Sequence, residues 1–330
     1  MEAEALPDLR NDIVVIVPTV GDGRRLDRCL RSLRAIDHPR LHSIVVVDNS
    51  RDRSASSWVD PTSAQPRESV VHEPEPGIPF ARNAGLRMAV ESGASFMACV
   101  DDDEEVSPQW FDQLVGAAER FRAQVVGGPV VPVAGPQARS WLHESGFFDR
   151  PRAATGTDLT SAMKPPSHLQ QLLMRLRGAT RLPVIATNNS LVSVNLAQQL
   201  GGFDERLRHT GGSDREFFER VADEGATMVW CDEAVVYEHI PAERQRVGWL
   251  LQRSFRYGNN AAILARRRRV GRLDLLAFCV LSVAYGLVSG VLRLPRGRAG
   301  VLASARVVAR GLGGILGLAG LRYEEYRRSE

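Results

Sequence analysis

Five consecutive acids, Asp101 to Glu105, end an apolar stretch that begins at Phe96. Two carboxylates one residue apart on a turn, as in Asp101 and Asp103, can grip a hard divalent cation such as Mg2+ or Mn2+. Such a cation keeps other positions for water and diphosphate oxygens. D-x-D alone is a weak motif, and a run of acids is most often a solvated face. A second apolar run, "SIVVVD", also ends in an acid, Asp48. Asp there suits a turn or a helix cap as well as a ligand site. Asp214 stands in "GGSDREFF", which would also make a good helix N-cap. Glu104 and Glu105 read as ordinary acids ahead of a helix that starts at Ser107-Pro108, where the helix dipole favours them.

The elements that must position these groups alternate in type. "IVVIV" (13–17), "SIVVVD" (43–48), "SVVHE" (69–73), "SFMACVD" (95–101) and "AQVVGGPVV" (123–131) read as buried strands. Between them lie helices. One carries Leu26, Cys29, Leu30 and Leu33 on a single face; another opens near Pro79 and stops at Gly93. Buried apolar runs separated by amphipathic helices predict an α/β fold, a mostly parallel, doubly wound sheet with helices on both faces. In such sheets ligands bind beyond the carboxyl ends of the strands, so Asp48 and Asp101 would share one edge. Residues 134–180 are rich in Pro, Gly and Thr and read as a loop-rich insertion with one helix near 167–177. Strands at 188–195, 227–231 and 234–239, a helix at 215–225 and a long helix from 242 to 269 complete the chain.

The ordered set "IVVIVPT", "VVVDNS", "GIPFARNAGL", "ACVDDDEEVSPQWF", "TNNSLVS" and "GGSDREFFERVADEGATMVWCDEAVVYEHIPAER" resembles a family 2 glycosyltransferase of the GT-A fold, over about residues 12–260. It looks most like the bacterial exopolysaccharide branch of succinoglycan type. The resemblance implies roles. Pro18, Thr19, Asp48, Arg82, Asp101 and Asp102 would contact the nucleotide. Asp101 and Asp103 would hold a metal, Mg2+ or Mn2+, with His239 completing the site. Asp214 would be the general base; Ser213 takes the place of the family's Glu, and Asn49 that of a second Asp. The implied reaction is inverting, metal-dependent, single transfer of a sugar from a nucleotide-sugar, a UDP-sugar in our reading, to a lipid-linked glycan acceptor in cell-surface or exopolysaccharide synthesis. Trp230 and Trp249 could stack on a sugar, although packing is the commoner fate of Trp.

Two rivals remain at this level. A nucleotidyltransferase would need a basic, Gly-rich phosphate loop, which Gly21, Gly23, Arg24 and Arg25 match in part. A non-catalytic nucleotide-sugar binding module would bind without turnover.

The tail differs from the rest. Residues 266–330 hold thirteen Arg and four acids, a net +9, which leaves −6 on residues 1–265 of the overall +3. A basic tail suits nucleic acid or an anionic membrane. Its apolar stretches, Leu275 to Leu292 and Ala299 to Gly320, favour the membrane and exclude a nucleic-acid partner from the reading. Arginines flank the first stretch on both sides, which disfavours a single span under the positive-inside tendency. Arg306 and Arg310 share one helical face, as in a helix lying in the interface. The expected layout is a glycosyltransferase domain over 1–260, with 134–180 on the acceptor side, and a helical membrane-associating tail over 261–330. The chain would sit on the cytoplasmic face of the membrane as a peripheral or monotopic protein, with Arg266–Arg269 against lipid headgroups. No basic-then-apolar leader opens the sequence. Cys29, Cys99, Cys231 and Cys279 have no paired spacing and read as buried thiols.

Overall fold

The computed structural model describes residues 13–62, 66–134, 147–163, 182–267 and 271–324. Most of the 134–180 insertion, including the helix expected at 167–177, lies outside the described residues.

The first strand, β1 (Ile13–Thr19), is buried along its whole length. It pairs in parallel with β2 (Leu41–Asp48) on one side and β4 (Phe96–Val100) on the other. β3 (Arg67–His72) extends the parallel set beyond β2. Successive side chains of a strand face opposite ways, so β1 feeds two cores. Val15 and Val17 pack with Leu26, Leu30 and Leu33 of α1 (Gly23–Arg34) and with Trp110 and Leu114 of α3 (Trp110–Phe121). Val14 and Ile16 face Ala81 and Ala84 of α2 (Ile78–Glu91) on the other side. Each large apolar side chain buried this way contributes about 1.5–3 kcal/mol. A Cβ at Gly85 would stand 2.4 Å from Ile16 Cγ2, so the glycine of "ARNAGL" lets α2 settle against β1.

The seven-stranded sheet runs β3-β2-β1-β4-β8-β6-β9, with β6 (Val125–Gly127), β8 (Asn189–Ser193) and β9 (Met228–Trp230). β8 lies antiparallel to both β4 and β6, so the mostly parallel sheet has one reversed strand. The single strand expected at 123–131 is two. β6 ends at Gly127, and β7 (Val130–Ala134) joins a separate three-stranded sheet with β5 (Glu104–Val106) and β10 (Val236–Ile240). The break follows from Gly128-Pro129. A Cβ at Gly128 would meet Ala234 O at 2.3 Å, and Pro129 has no N–H for the ladder. Asn189 staples the break: its Nδ2 donates to Pro129 O (2.9 Å) and Ala234 O (2.7 Å), and its Oδ1 accepts from Trp110 Nε1 (2.8 Å).

Shorter helices α4 (Thr160–Met163) and α5 (Val194–Gln199) pack on the second core, with α6 (Ser213–Asp223) beside them. The tail begins inside a helix: α7 (Val247–Arg267) carries residue 260 in its middle. α8 (Arg272–Leu292) and α9 (Gly297–Leu318) form the expected apolar hairpin. α9 lies against α7 backbone to backbone, since a Cβ on Gly313 would come 2.0 Å from Phe255 O. Asn259 Nδ2 donates to Gly313 O (3.2 Å) and Leu321 O (2.9 Å), fixing that register. All four cysteines are buried and free.

Candidate active site

The parallel register brings the strand ends to one edge, Thr19 opposite Asp48 and Asp48 opposite His72, with β4 ending beside them. A cleft of about 860 Å³ opens there. Of the nine residues singled out in the sequence, seven line it: Pro18, Thr19, Arg82, Asp101, Asp102, Asp103 and Asp214.

Asp48 stands beneath the cleft. Its carboxylate accepts from Ser50 N (2.9 Å) and Ala55 N (2.8 Å), and the residue is 1% exposed. It shapes the loop after β2. Asn49 is the one that faces the cleft. Its Nδ2 donates to Glu73 O (2.8 Å) and Glu75 O (2.7 Å), and its Oδ1 accepts from Gly77 N (2.9 Å). A carboxylate has no hydrogen to give either carbonyl, which accounts for an amide at position 49.

The acidic run divides by burial. Thr19 Oγ1 donates to Asp102 Oδ2 (2.5 Å). Burial pushes the Asp101 carboxyl up to about 7; Arg82 opposes this, and Asp103, Asp102 and Glu238 add to it. Burial also lifts Asp102 to about 6, against the Thr19 hydrogen bond. Glu104 is not an ordinary loop acid. It is 1% exposed in β5; its Oε2 accepts from Asp101 N (2.9 Å) and its Oε1 from Asn188 Nδ2 (2.5 Å). It braces the turn, and burial followed by the neighbouring acids holds it well above the usual carboxylate range. Glu105 is on the far side of β5, where its Oε2 meets His239 Nε2 at 3.1 Å.

β10 explains why His239 is there. Val236, Glu238 and Ile240 are buried on one side, and Tyr237 and His239 alternate to the other. Glu238 is therefore the β10 residue in the cleft, opposite Glu104 in the ladder. Sequence reasoning missed it, although period-two alternation from Val236 would have found it. Glu238 Oε2 accepts from Arg150 Nη2 (2.5 Å), and Arg244 Nη1 donates to Asp103 Oδ2 (2.9 Å) while standing 3.6 Å from Glu238 Oε1.

The other rim is the start of α6. Gly211 and Gly212 both have positive φ (76° and 88°), a conformation that side chains with a Cβ rarely take. They turn the chain so that Asp214 sits in the first helical turn, facing the cleft near the positive end of the helix dipole. Ser213 is 1% exposed and its Oγ accepts from Arg82 Nη1 (3.4 Å). Arg82 Nη2 stands 3.8 Å from Asp101 Oδ1, so Arg82 ties the acidic turn to the start of α6.

Among the described residues no group of three His, Cys, Asp or Glu stands ready to hold a metal. The chemistry of the edge nevertheless suits one. Its donors are carboxylate oxygens, the preference of Mg2+ and Mn2+. Burial first, and the neighbouring Asp103 after it, raise the carboxyls of both Asp101 and Asp102. Entry of a metal at Asp103 requires Arg244 to give way.

The tryptophans divide. Trp230 is core, 3% exposed, with Nε1 donating to Asp232 Oδ1 (3.0 Å). Trp249 packs with Phe147 and Phe148, and Arg253 covers its ring at 5.0 Å. Gly21 and Gly23 serve packing: a Cβ on either would strike Ser54 or Trp58.

Residues 14–192 match the family described as Glycosyl transferase family 2. The chain is also 31% identical over 252 residues to the succinoglycan biosynthesis protein ExoM of Rhizobium meliloti, covering 74% of this chain and 73% of ExoM. This chain belongs to glycosyltransferase family 2. The glycosyltransferase also resembles solved structures. The mannosyltransferase PcManGT of Pyrobaculum calidifontis, in complex with GDP-Man and Mn2+, aligns with TM-score 0.57 at 17% identity, over 93% of this chain and 87% of that one. TarS 1-349 of S. aureus with UDP-GlcNAc aligns with TM-score 0.50 at 16% identity, over 90% of each chain. At that identity the likeness concerns the fold, and the fold is GT-A.

Proposed function

We propose that this glycosyltransferase transfers a single sugar, with inversion, from a nucleotide-sugar donor, UDP-linked in our reading, to a lipid-linked glycan acceptor in cell-surface or exopolysaccharide synthesis. The observation that carries the reading is the meeting of Asp101–Asp103, Arg82 and Asp214 around one cleft. The names of ExoM and of the nucleotide-sugar complexes above support the substrate class.

Asp214 takes the proton of the acceptor hydroxyl as that oxygen attacks the anomeric carbon. The bond from that carbon to the diphosphate breaks on the opposite face, and its electron pair leaves with the nucleoside diphosphate. Pro18, Thr19 and Asp102 support the nucleotide, and Asp48 holds the loop beneath it through Ser50 and Ala55. Arg82, braced by Ser213, faces the departing negative charge. A divalent cation held by Asp101 and Asp103 would stabilise that charge as it develops.

The reading keeps the GT domain over 1–260, residues 134–180 toward the acceptor, and the tail on the cytoplasmic membrane surface. α8 and α9 are each long and apolar enough to cross a membrane, and only 22% of the apolar window of α8 is buried. Leu273, Val291 and Leu292 are 82%, 67% and 73% exposed, with Arg293, Arg296 and Arg298 just beyond. An apolar face bounded by arginines suits a helix lying in the headgroup boundary.

A panel of nucleotide sugars, assayed for nucleoside diphosphate release with and without Mn2+ or Mg2+, tests the reaction. Release of inorganic diphosphate, or binding without turnover in the presence of a lipid-linked acceptor, would reject it.

A further inference from the structure

The long helices α7 and α9 bring to the cleft arginines that the reaction above does not use. Seven arginines and five carboxylates line the cleft among the described residues, and they are not mixed evenly. Arg82, Arg244 and Arg150 lie against Asp101, Asp103 and Glu238, and Arg215 pairs with Glu219 outside the lining. Arg253 and Arg256 of α7 and Arg310 of α9 also line the cleft, on the long helices rather than on the sheet edge.

Tyr257 reports the field there. Its Oη accepts from Arg253 Nε at 2.9 Å, and the guanidinium groups of Arg253 and Arg256 lie 5.4 and 5.7 Å from its ring centre. Burial alone would raise the phenol, yet Arg253, Arg256 and Arg150 bring it below its usual range. Guanidinium groups bind phosphate through paired N–H donors, and several converging on one spot make an anion site.

These helices also adjoin apolar surface. The helix that supplies Arg310 is the second arm of the hairpin, whose first arm exposes Val280, Leu287 and Val288. A ligand with a phosphate in the cleft and a hydrocarbon chain beyond it would find both halves matched.

We propose that Arg253, Arg256 and Arg310 form a phosphoryl-binding subsite for the phosphate or diphosphate that joins the acceptor's glycan to its lipid. The proposal rests on the lipid-linked acceptor of the preceding section. It gives the two anions of the reaction different holders. The donor's diphosphate meets the carboxylate edge, where a metal is needed because carboxylates repel phosphate. The acceptor's phosphate meets guanidinium groups and needs none.

That difference defines the experiment, done on the full chain in detergent. Farnesyl diphosphate is titrated in EDTA, and UDP and GDP are titrated with Mn2+. Farnesyl diphosphate is expected to bind saturably without metal. The double variant Arg253→Gln/Arg310→Gln should weaken it tenfold or more, while nucleotide binding stays within twofold and reports an intact fold. Arg253→Lys/Arg310→Lys, which keeps the charge, should retain most of the affinity. Farnesol should be insensitive to either variant, and inorganic diphosphate should bind more weakly than farnesyl diphosphate. The proposal is overturned if the Gln variant leaves farnesyl diphosphate binding unchanged. It is equally overturned if the variant weakens nucleotide binding as much, or if inorganic diphosphate binds as tightly as the lipid form. Failure of the donor reading would appear elsewhere, as absence of nucleotide-sugar turnover, and leaves the farnesyl diphosphate titration readable.

Discussion

The two walls of the cleft are built in opposite ways. The acidic wall uses short side chains fixed by the ends of β1 and β4 and by the β5–β10 ladder. Thr19 holds Asp102, Glu104 holds the backbone of Asp101, and Glu238 lies across from Glu104. The basic wall uses arginines on the long helices α7 and α9, which Gly258 and Gly313 let pack backbone to backbone, Gly258 against Arg310 itself. Short groups at a sheet edge have little freedom and suit the reacting atoms. Long guanidinium side chains reach further and suit a ligand that is bound but not altered. Under the proposal, one cleft separates the place for chemistry from the place for holding.

The contrast can be broken most severely at the acidic wall. Asp103→Asn is expected to lower nucleoside diphosphate release by roughly a hundredfold or more, the scale of losing one electrostatic stabiliser of a transition state. Removal of divalent metal should do the same to the parent enzyme, and added Mn2+ should rescue the parent better than the variant. Parent-like turnover by Asp103→Asn would remove the carboxylate edge from the mechanism. The basic wall should respond differently. Arg253→Gln/Arg310→Gln is expected to raise KM for the lipid-linked acceptor about tenfold while KM for the donor stays near that of the parent. Equal effects on both substrates would erase the distinction between the walls.

A smaller effect tests the support under the acidic wall. Asn49→Asp removes two donors from Glu73 O and Glu75 O. Unsatisfied buried polar groups cost about 1–3 kcal/mol each, so thermal unfolding should occur several degrees lower. An unchanged melting temperature would refute the role given to the amide. His239→Ala should have the least effect. Its ring faces Glu105 rather than Asp101 or Asp103, so metal-dependent activity is expected within about twofold of the parent. A large loss would return His239 to the site.

The acidic wall was the more legible in the sequence, for a physical reason. Parallel strands announce themselves as apolar runs, and their carboxyl ends share an edge, so Asp48 and Asp101 could be placed on one edge before any coordinates. Strand direction was less accessible, because the reversed strand β8 reads as the same kind of apolar run as the parallel strands β1, β2 and β4. The division of 123–131 into two sheets was written in Gly128-Pro129, read there as part of one strand. Glu104 looked like a surface acid because nothing local reveals Asn188 or the backbone of Asp101 as its partners. Arg253, Arg256 and Arg310 come from two helices more than fifty residues apart in sequence. Their convergence depends on the packing of α9 on α7, where Gly258 and Gly313 admit the opposing backbone.

In the proposed reaction Asp214 would join the two walls, acting on the acceptor while the donor's bond breaks. It stands in the first turn of α6, presented by Gly211 and Gly212. The most direct test is therefore transfer by Asp214→Asn to a lipid-linked acceptor with a donor that the parent enzyme uses. The account predicts unchanged binding of nucleotide with Mn2+ and a fall in kcat of about 10²–10⁴, the range ascribed to general base catalysis. Full transfer activity in that variant would contradict it.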